Sequence, residues 1–160
     1  ILLPRPLITT RWYSRRQRQM FIRDMATKVL YLDLMVSDGN ITIQKDEFSR
    51  ICIEETRNSL YALPDPKVCW VVLKNNNTLA RIEGSLYHLP LNSEERVEVD
   101  PIMSDIEVFD LYHEKDKILV LIQQKEKEPI TFMLQGISMP TKKQKMSGKL
   151  DTNATAPSTE

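Results

Sequence analysis

The sequence predicts a mainly β fold, an antiparallel barrel or sandwich of about eight short strands, with room for one short helix. The stretch 67–91 holds the densest run of β-forming residues, a polar triplet at 75–77 and a second apolar run, which is the pattern of a hairpin. Charged or proline-containing turns separate four further short segments, at 96–99, 106–112, 118–122 and 130–134. A chain of 160 residues suits one domain, which we place at 28–137.

The segment before this hairpin predicts another one. Apolar residues alternate along 28–36, as expected of a strand with two largely apolar faces. Asp38 and Gly39 are a strong signal for a tight turn, and 41–43 is apolar again. We therefore expect a β-hairpin that begins the domain.

The stretch 46–63 fits two structures. As a helix it would carry a broken apolar stripe through Phe48, Ile51 and Cys52, and as a strand it would alternate around Ile51. A strand over 48–55 suits the β-rich surroundings better.

The two cysteines and a neighbouring tryptophan are expected in the core. Cys52 and Cys69 both have apolar or β-branched neighbours, where an unpaired cysteine behaves as a small buried apolar residue. We therefore expect free thiols and a reducing compartment rather than a disulfide. Trp70 is expected to anchor the core, because its side chain has the largest apolar area in the hairpin.

Charge is unevenly distributed along a chain whose formal net charge is zero. Residues 1–23 contain six arginines and no acid, whereas 24–138 contain twelve basic and twenty acidic side chains. The sequence thus indicates an acidic body between basic ends. The tail, 138–160, contains four lysines and few apolar residues, so we expect it to be disordered.

The arginine-rich arm, 1–24, has the composition of a mitochondrial transit peptide. A helix that begins after Pro6 would place Arg11, Arg15 and Arg18 on one face. The sequence 11–14 resembles the site that the matrix processing peptidase cleaves, which implies import into the mitochondrial matrix. The sequence that starts at Met25 resembles an ordinary translation start, and a chain without the arm would be cytoplasmic or nuclear.

Basic side chains at both ends are the predicted contacts to a partner or to phosphate. Protein partners in a larger assembly are expected first, and binding of RNA phosphate by the arm is the second use. The predicted contact residues are Arg11, Arg15, Arg16, Arg18, Lys142, Lys143 and Lys145.

The residue types that enzymes need do not converge in this sequence. His88 and His113 are its two histidines, each beside a tyrosine in a predicted strand. Short metal-ligand spacings and glycine-rich phosphate loops are missing, so we predict no catalysis, no cofactor and no metal site. The apolar runs are a few residues long, whereas a membrane-spanning helix needs about 20.

Part of the chain resembles pleckstrin-homology domains. Several features resemble the second to fourth strands of these domains. They are the run from Trp70 to Lys74, a polar turn, Thr78-Leu79, and Gly84-Ser85 followed by 89–91. This resemblance implies a seven-stranded barrel closed by a C-terminal helix, which binds phosphoinositides or proteins. Sm-like RNA-binding barrels are also similar, through 73–75, Gly84-x-Leu86 and Asp100-x-x-Met103.

These features predict a non-catalytic binding or assembly module, a structural subunit of a larger and mitochondrial complex. The alternative is a cytosolic or nuclear adaptor, similar to pleckstrin-homology barrels, that binds a protein or peptide along a sheet edge.

Overall fold

A computed structural model describes residues 9–137, with the backbone alone given for 9–17 and 19. One helix and eight strands are present in this part of the chain, which confirms the predicted mainly β class. They are α1 (Thr9–Met35), β1 (Ile41–Lys45), β2 (Ser49–Ile53), β3 (Lys67–Leu73), β4 (Thr78–Gly84), β5 (Val97–Met103), β6 (Ile106–Glu114), β7 (Lys117–Gln124) and β8 (Ile130–Leu134). Antiparallel pairing joins them into a five-stranded sheet, β1-β2-β3-β4-β5, and a three-stranded sheet, β6-β7-β8.

The central hairpin is confirmed. Strands β3 and β4 pair from Lys67 opposite Gly84 to Leu73 opposite Thr78, and a single 3-10 turn joins them. Asn76 and Asn77 in this turn have positive φ angles of 65° and 45°. Asparagine tolerates this left-handed conformation better than most residues, so the polar triplet is what allows so short a connection.

The predicted first hairpin is wrong, because 28–36 forms the end of helix α1 and the residue after it. Apolar residues occur so often in this segment that they satisfy a helical period as well as the strand period. The helix buries Leu30 and Leu34, four residues apart, and leaves Leu32 exposed. Asp38 and Gly39, with φ angles of 51° and 81°, then connect the helix to β1 in place of a hairpin turn.

The predictions for two other segments had different outcomes. The choice of a strand within 48–55 is confirmed by β2. The segment 96–99 was expected to end at Asp100-Pro101, but β5 continues through both residues to Met103. Pro101 is tolerated because β5 lies at the edge of its sheet and its pairing with β4 is irregular at Leu79 and Ala80, beside this residue.

The main core lies between the two sheets, which contact each other through β2 and β6, and beneath one side of α1. Trp70 is fully buried in it, as predicted. A smaller cluster occupies the outer face of the five-stranded sheet, where Tyr87 covers Cys69 and Ile82. The segment 85–96, which we call the cover segment, therefore packs on that outer face.

The prediction of free thiols is wrong, since Cys52 and Cys69 form a disulfide. The two residues are directly opposite each other in the β2–β3 register, with their Cα atoms 4.1 Å apart. Apolar neighbours indicated burial correctly for Cys69, but the strand register that brings it to Cys52 is a tertiary property.

Candidate functional site

Among the described side chains of α1, those that are buried against the sheets lie on one side and in its second half. Ala26, Leu30 and Leu34 are buried on that side. Nearer the N-terminus, the described side chains from Arg18 to Met25 are exposed, except for a partly buried Arg23 that donates a hydrogen bond to the Glu128 carbonyl. The described side chains of this part of α1 are therefore mostly exposed to solvent, although Met20 and Ile22 line surface clefts together with residues of the β domain.

The opposite side of α1 carries a line of exposed side chains, which we call the exposed row. Its five members follow one another at intervals of four, three, four and three residues, so they lie on one face of the helix. They are Phe21, Met25, Lys28, Leu32 and Met35, and the four apolar members are 65, 49, 50 and 56% exposed. Single exposed apolar residues are normal, but a continuous row about 20 Å long along one helix marks a contact surface.

A buried carboxylate fixes the orientation of α1. Asp33 accepts hydrogen bonds from Trp70 Nε1 at 2.8 Å, from Arg81 Nε at 2.8 Å and from Asn58 Nδ2 at 2.7 Å. Asp33, Trp70 and Arg81 are all 0 or 1% exposed. Because charge-assisted bonds of this kind are strong and directional, the helix cannot rotate to bury the exposed row against its own domain without breaking them.

The Arg81 guanidinium lies between two carboxylates. Its Nη1 donates to Glu83 at 2.6 Å, and its Nη2 donates to the Asn58 carbonyl at 2.8 Å. Burial alone would lower the pKa of Arg81, but hydrogen bonds and charge from Asp33 and Glu83 raise it. The guanidinium is therefore held in its charged form.

The Glu83 carboxylate accepts hydrogen bonds from several donors at once. Besides Arg81, it accepts hydrogen bonds from the Ser59 hydroxyl and from the backbone N–H groups of Leu60 and Tyr61. Burial alone would raise the pKa of Glu83, but the bonds from Ser59, Arg81 and Leu60 outweigh it and lower the pKa. The cluster thus joins α1, β4 and the loop after β2, which is a structural role.

A second surface feature is a cavity of about 500 Å³ on the outer face of the five-stranded sheet. Val71, Leu73 and Ile82 line it from the sheet, and 89–91 lines it from the cover segment. Its rim contains both signs of charge, Asp46, Glu47, Arg50 and Lys74, and Arg50 lies 3.5 Å from Asp46. A small apolar group would fit a cavity of this size. Because the rim carries both positive and negative side chains, it favours neither a cationic nor an anionic ligand.

The predicted contact residues are only partly within the described structure. The backbone at Arg11, Arg15 and Arg16 belongs to α1, so this part of the arm is helical as expected. The side chains of these three residues are outside the described part. Arg18 is exposed on the same helix. Lys142, Lys143 and Lys145 lie outside the described residues.

The sequence interpretation missed the exposed row. Phe21 was assigned to the arm, and Leu32 and Met35 to a strand that does not exist. The signal was present in the spacing of 21, 25, 32 and 35, which repeats with a helical period.

The histidines do not form a cluster with other reactive groups. The prediction of a strand at His88 is wrong, because this residue lies between β4 and β5, whereas His113 lies in β6 as predicted. His88 is 92% exposed, with its Nδ1 4.0 Å from Glu95 Oε1, and His113 is also exposed. Within 9–137, His, Cys, Asp and Glu form no group of three or more that could hold a metal ion. No helix in this same part of the chain is long and apolar enough to cross a membrane.

No protein-family model matches this chain, and no curated protein matches it either.

Proposed function

We propose that this chain is a non-catalytic assembly module, which binds a protein partner as a subunit of a larger complex. The observation that carries the proposal is the exposed row of α1. An amphipathic helix that places residues at such intervals in an apolar groove is a recurring mode of protein recognition.

The exposed apolar surface of the row determines how much binding free energy the row can contribute. Burying a whole apolar side chain contributes about 1.5–3 kcal/mol, and about half of the surface of each of the four remains available. The row then contributes roughly 3–6 kcal/mol, whereas a micromolar complex needs about 8 kcal/mol. Further contacts are required, and the arginines of the arm can supply them by attraction to an acidic partner.

The cavity of the outer face supports a second proposal, an adaptor that binds a protein or peptide beside the turn between β1 and β2. The resemblance to pleckstrin-homology domains adds little to it. Within the described residues the helix precedes eight strands, whereas the resemblance implies seven strands followed by a helix.

Polar substitutions in the exposed row should release the partner. We expect Met25→Ser combined with Leu32→Ser to reduce the recovery of co-purifying proteins from the native source about tenfold or more, since residues at the centre of an interface dominate binding. Mass spectrometry of tagged full-length chain and variant measures this. Leu86→Ser is the control, because Leu86 is 90% exposed and lies between β4 and β5, outside α1. Equal recovery with all three chains would contradict the proposal.

The compartment is a separate part of the proposal. The arginine-rich arm supports mitochondrial import, whereas the bond between Cys52 and Cys69 favours a compartment that oxidises thiols. We expect a fluorescent tag at the C-terminus to reach mitochondria with the full chain and to stay in the cytosol when the chain starts at Met25. Cytosolic fluorescence from both would contradict the mitochondrial part and leave the assembly part to the row variants.

A further inference from the structure

Lys28 stands at the centre of the exposed row. Two apolar residues precede it in the row, Phe21 and Met25, and two follow it, Leu32 and Met35. The Lys28 side chain is exposed. Any surface that covers the whole row must therefore accommodate one positive charge in the middle of an apolar seam.

The shape of the row favours a helix as its occupant. Alternating intervals of four and three residues are those of the seam along which two helices pack, and the exposed Met20, Ile22 and Tyr31 flank the row and would border such a contact. The arginines of the arm would attract an anionic lipid surface as well as an acidic helix, so the vesicle measurement below separates these two occupants.

A second copy of the chain is a poor occupant for electrostatic reasons. Antiparallel pairing of two rows would place Phe21 opposite Met35, Met25 opposite Leu32 and Lys28 opposite Lys28 of the other copy. Parallel pairing also puts the two lysines together. Like charges that face each other in an apolar seam are unfavourable, because burial strengthens their repulsion.

The C-terminal tail is a poor occupant for the same reason. The described chain ends beside the row, since Gly136 and Ile137 line a cleft together with Met35. The tail that follows carries Lys142, Lys143, Lys145 and Lys149 before its first acid, Asp151. It would bring positive charge to Lys28 and to the arginines of the arm.

On the basis of the assembly function proposed above, we infer that the row binds an amphipathic helix of another protein that places a carboxylate opposite Lys28. Such a carboxylate pairs with the ammonium group while the flanking apolar residues complete the seam. The arginines of the arm increase the rate of encounter with this acidic helix. Lys28 thus selects the partner and prevents self-association.

Two designed helical peptides serve as probes. Each contains about three heptads, with leucine at the seam positions, and the pair differs in one central seam residue, glutamate or lysine. We expect the full chain to bind the glutamate peptide at least about tenfold more tightly than the lysine peptide in calorimetry. Lys28→Glu should reverse this preference, and Lys28→Arg should keep it. An unchanged preference in Lys28→Glu would overturn the inference.

Self-association provides the second measurement. We expect the unmodified chain to sediment as a monomer at micromolar concentration and Lys28→Leu to form a dimer, because the substitution completes an uninterrupted apolar seam. A native dimer that Lys28→Leu does not strengthen would identify a second copy as the occupant and overturn the inference. Binding to vesicles that contain phosphatidylserine, lost in Met25→Ser with Leu32→Ser and unaffected by Lys28→Glu, would overturn it in favour of a membrane.

The two proposals fail differently. If the row variants retain all co-purifying proteins, the assembly function itself is contradicted. If the row variants lose them but Lys28→Glu retains them and shows the original peptide preference, only the acidic-helix inference is contradicted.

Discussion

Replacing Arg81 by methionine is expected to lower the free energy of unfolding by about 3–5 kcal/mol, because breaking a buried ion pair leaves its partners unpaired. Arg81 is 1% exposed and compensates the carboxylates of Asp33 and Glu83, which are both fully buried. Methionine retains about the length of the aliphatic part of the side chain but supplies no donor. Urea unfolding followed by the fluorescence of Trp70, whose indole N–H also bonds Asp33, measures the loss.

An exposed arginine provides the matched control. Arg57 forms an ion pair with Asp38, and their side chains are 74 and 56% exposed. Because water screens such a pair, Arg57→Met should cost less than about 1 kcal/mol. If Arg81→Met is as mild as Arg57→Met, the cluster does not hold the fold together. Should Arg81→Met fail to fold, adding Asp33→Asn and Glu83→Gln should recover part of the stability by removing the unpaired charges.

The same variant has a characteristic dependence on pH. The pKa of Glu83 lies below its ordinary value of 4.5 in the folded state. A lowered carboxyl pKa contributes stability that is fully present above the unfolded pKa and is lost as the pH falls through the folded pKa. Without Arg81, protonation of Glu83 relieves an unpaired charge. The difference in stability between the two chains should therefore shrink as the pH falls below about 4.5.

The sequence predicted the structure correctly where the spacing of its apolar residues fits either a strand or a helix but not both. Strands β6, β7 and β8 alternate between well-marked turns, and Trp70 lies in a run that only a buried strand explains. It misled at Lys28 to Met35, where leucine at almost every second position fits both a strand and the buried side of a helix. Packing against the sheets decided between them, since Leu30 and Leu34 share one helical face.

The buried cluster could not be found from local pattern. In β4, Leu79, Arg81 and Glu83 alternate with Ala80 and Ile82, and two charged residues on one face ordinarily indicate a solvent-facing side. That face is instead buried, because Asp33 arrives from 48 positions earlier in the chain and compensates Arg81. The exposed row depends on the same event, as a helix fixed by Asp33 presents its opposite side to solvent.

Reducing the bond between Cys52 and Cys69 is expected to lower the stability by about 3 kcal/mol, as the chain-entropy relation gives for a loop of this length. The two residues are 17 positions apart, so the bond removes many conformations from the unfolded chain. Urea unfolding with and without dithiothreitol measures the effect. The double variant Cys52→Ala with Cys69→Ala should be about as unstable as the reduced chain and should not respond to dithiothreitol.

The position of this disulfide separates stability from partner binding. Cys69 belongs to the cluster on the outer face of the five-stranded sheet, whereas Trp70 and the buried side of α1 belong to the main core on its other face. Reduction should therefore leave the bonds of Asp33, and with them the orientation of the exposed row, unchanged. We expect the reduced chain to keep its preference for the glutamate peptide at temperatures where it remains folded. Loss of that preference on reduction, without unfolding, would mean that the two faces of the sheet are coupled and that the row is not held by Asp33 alone.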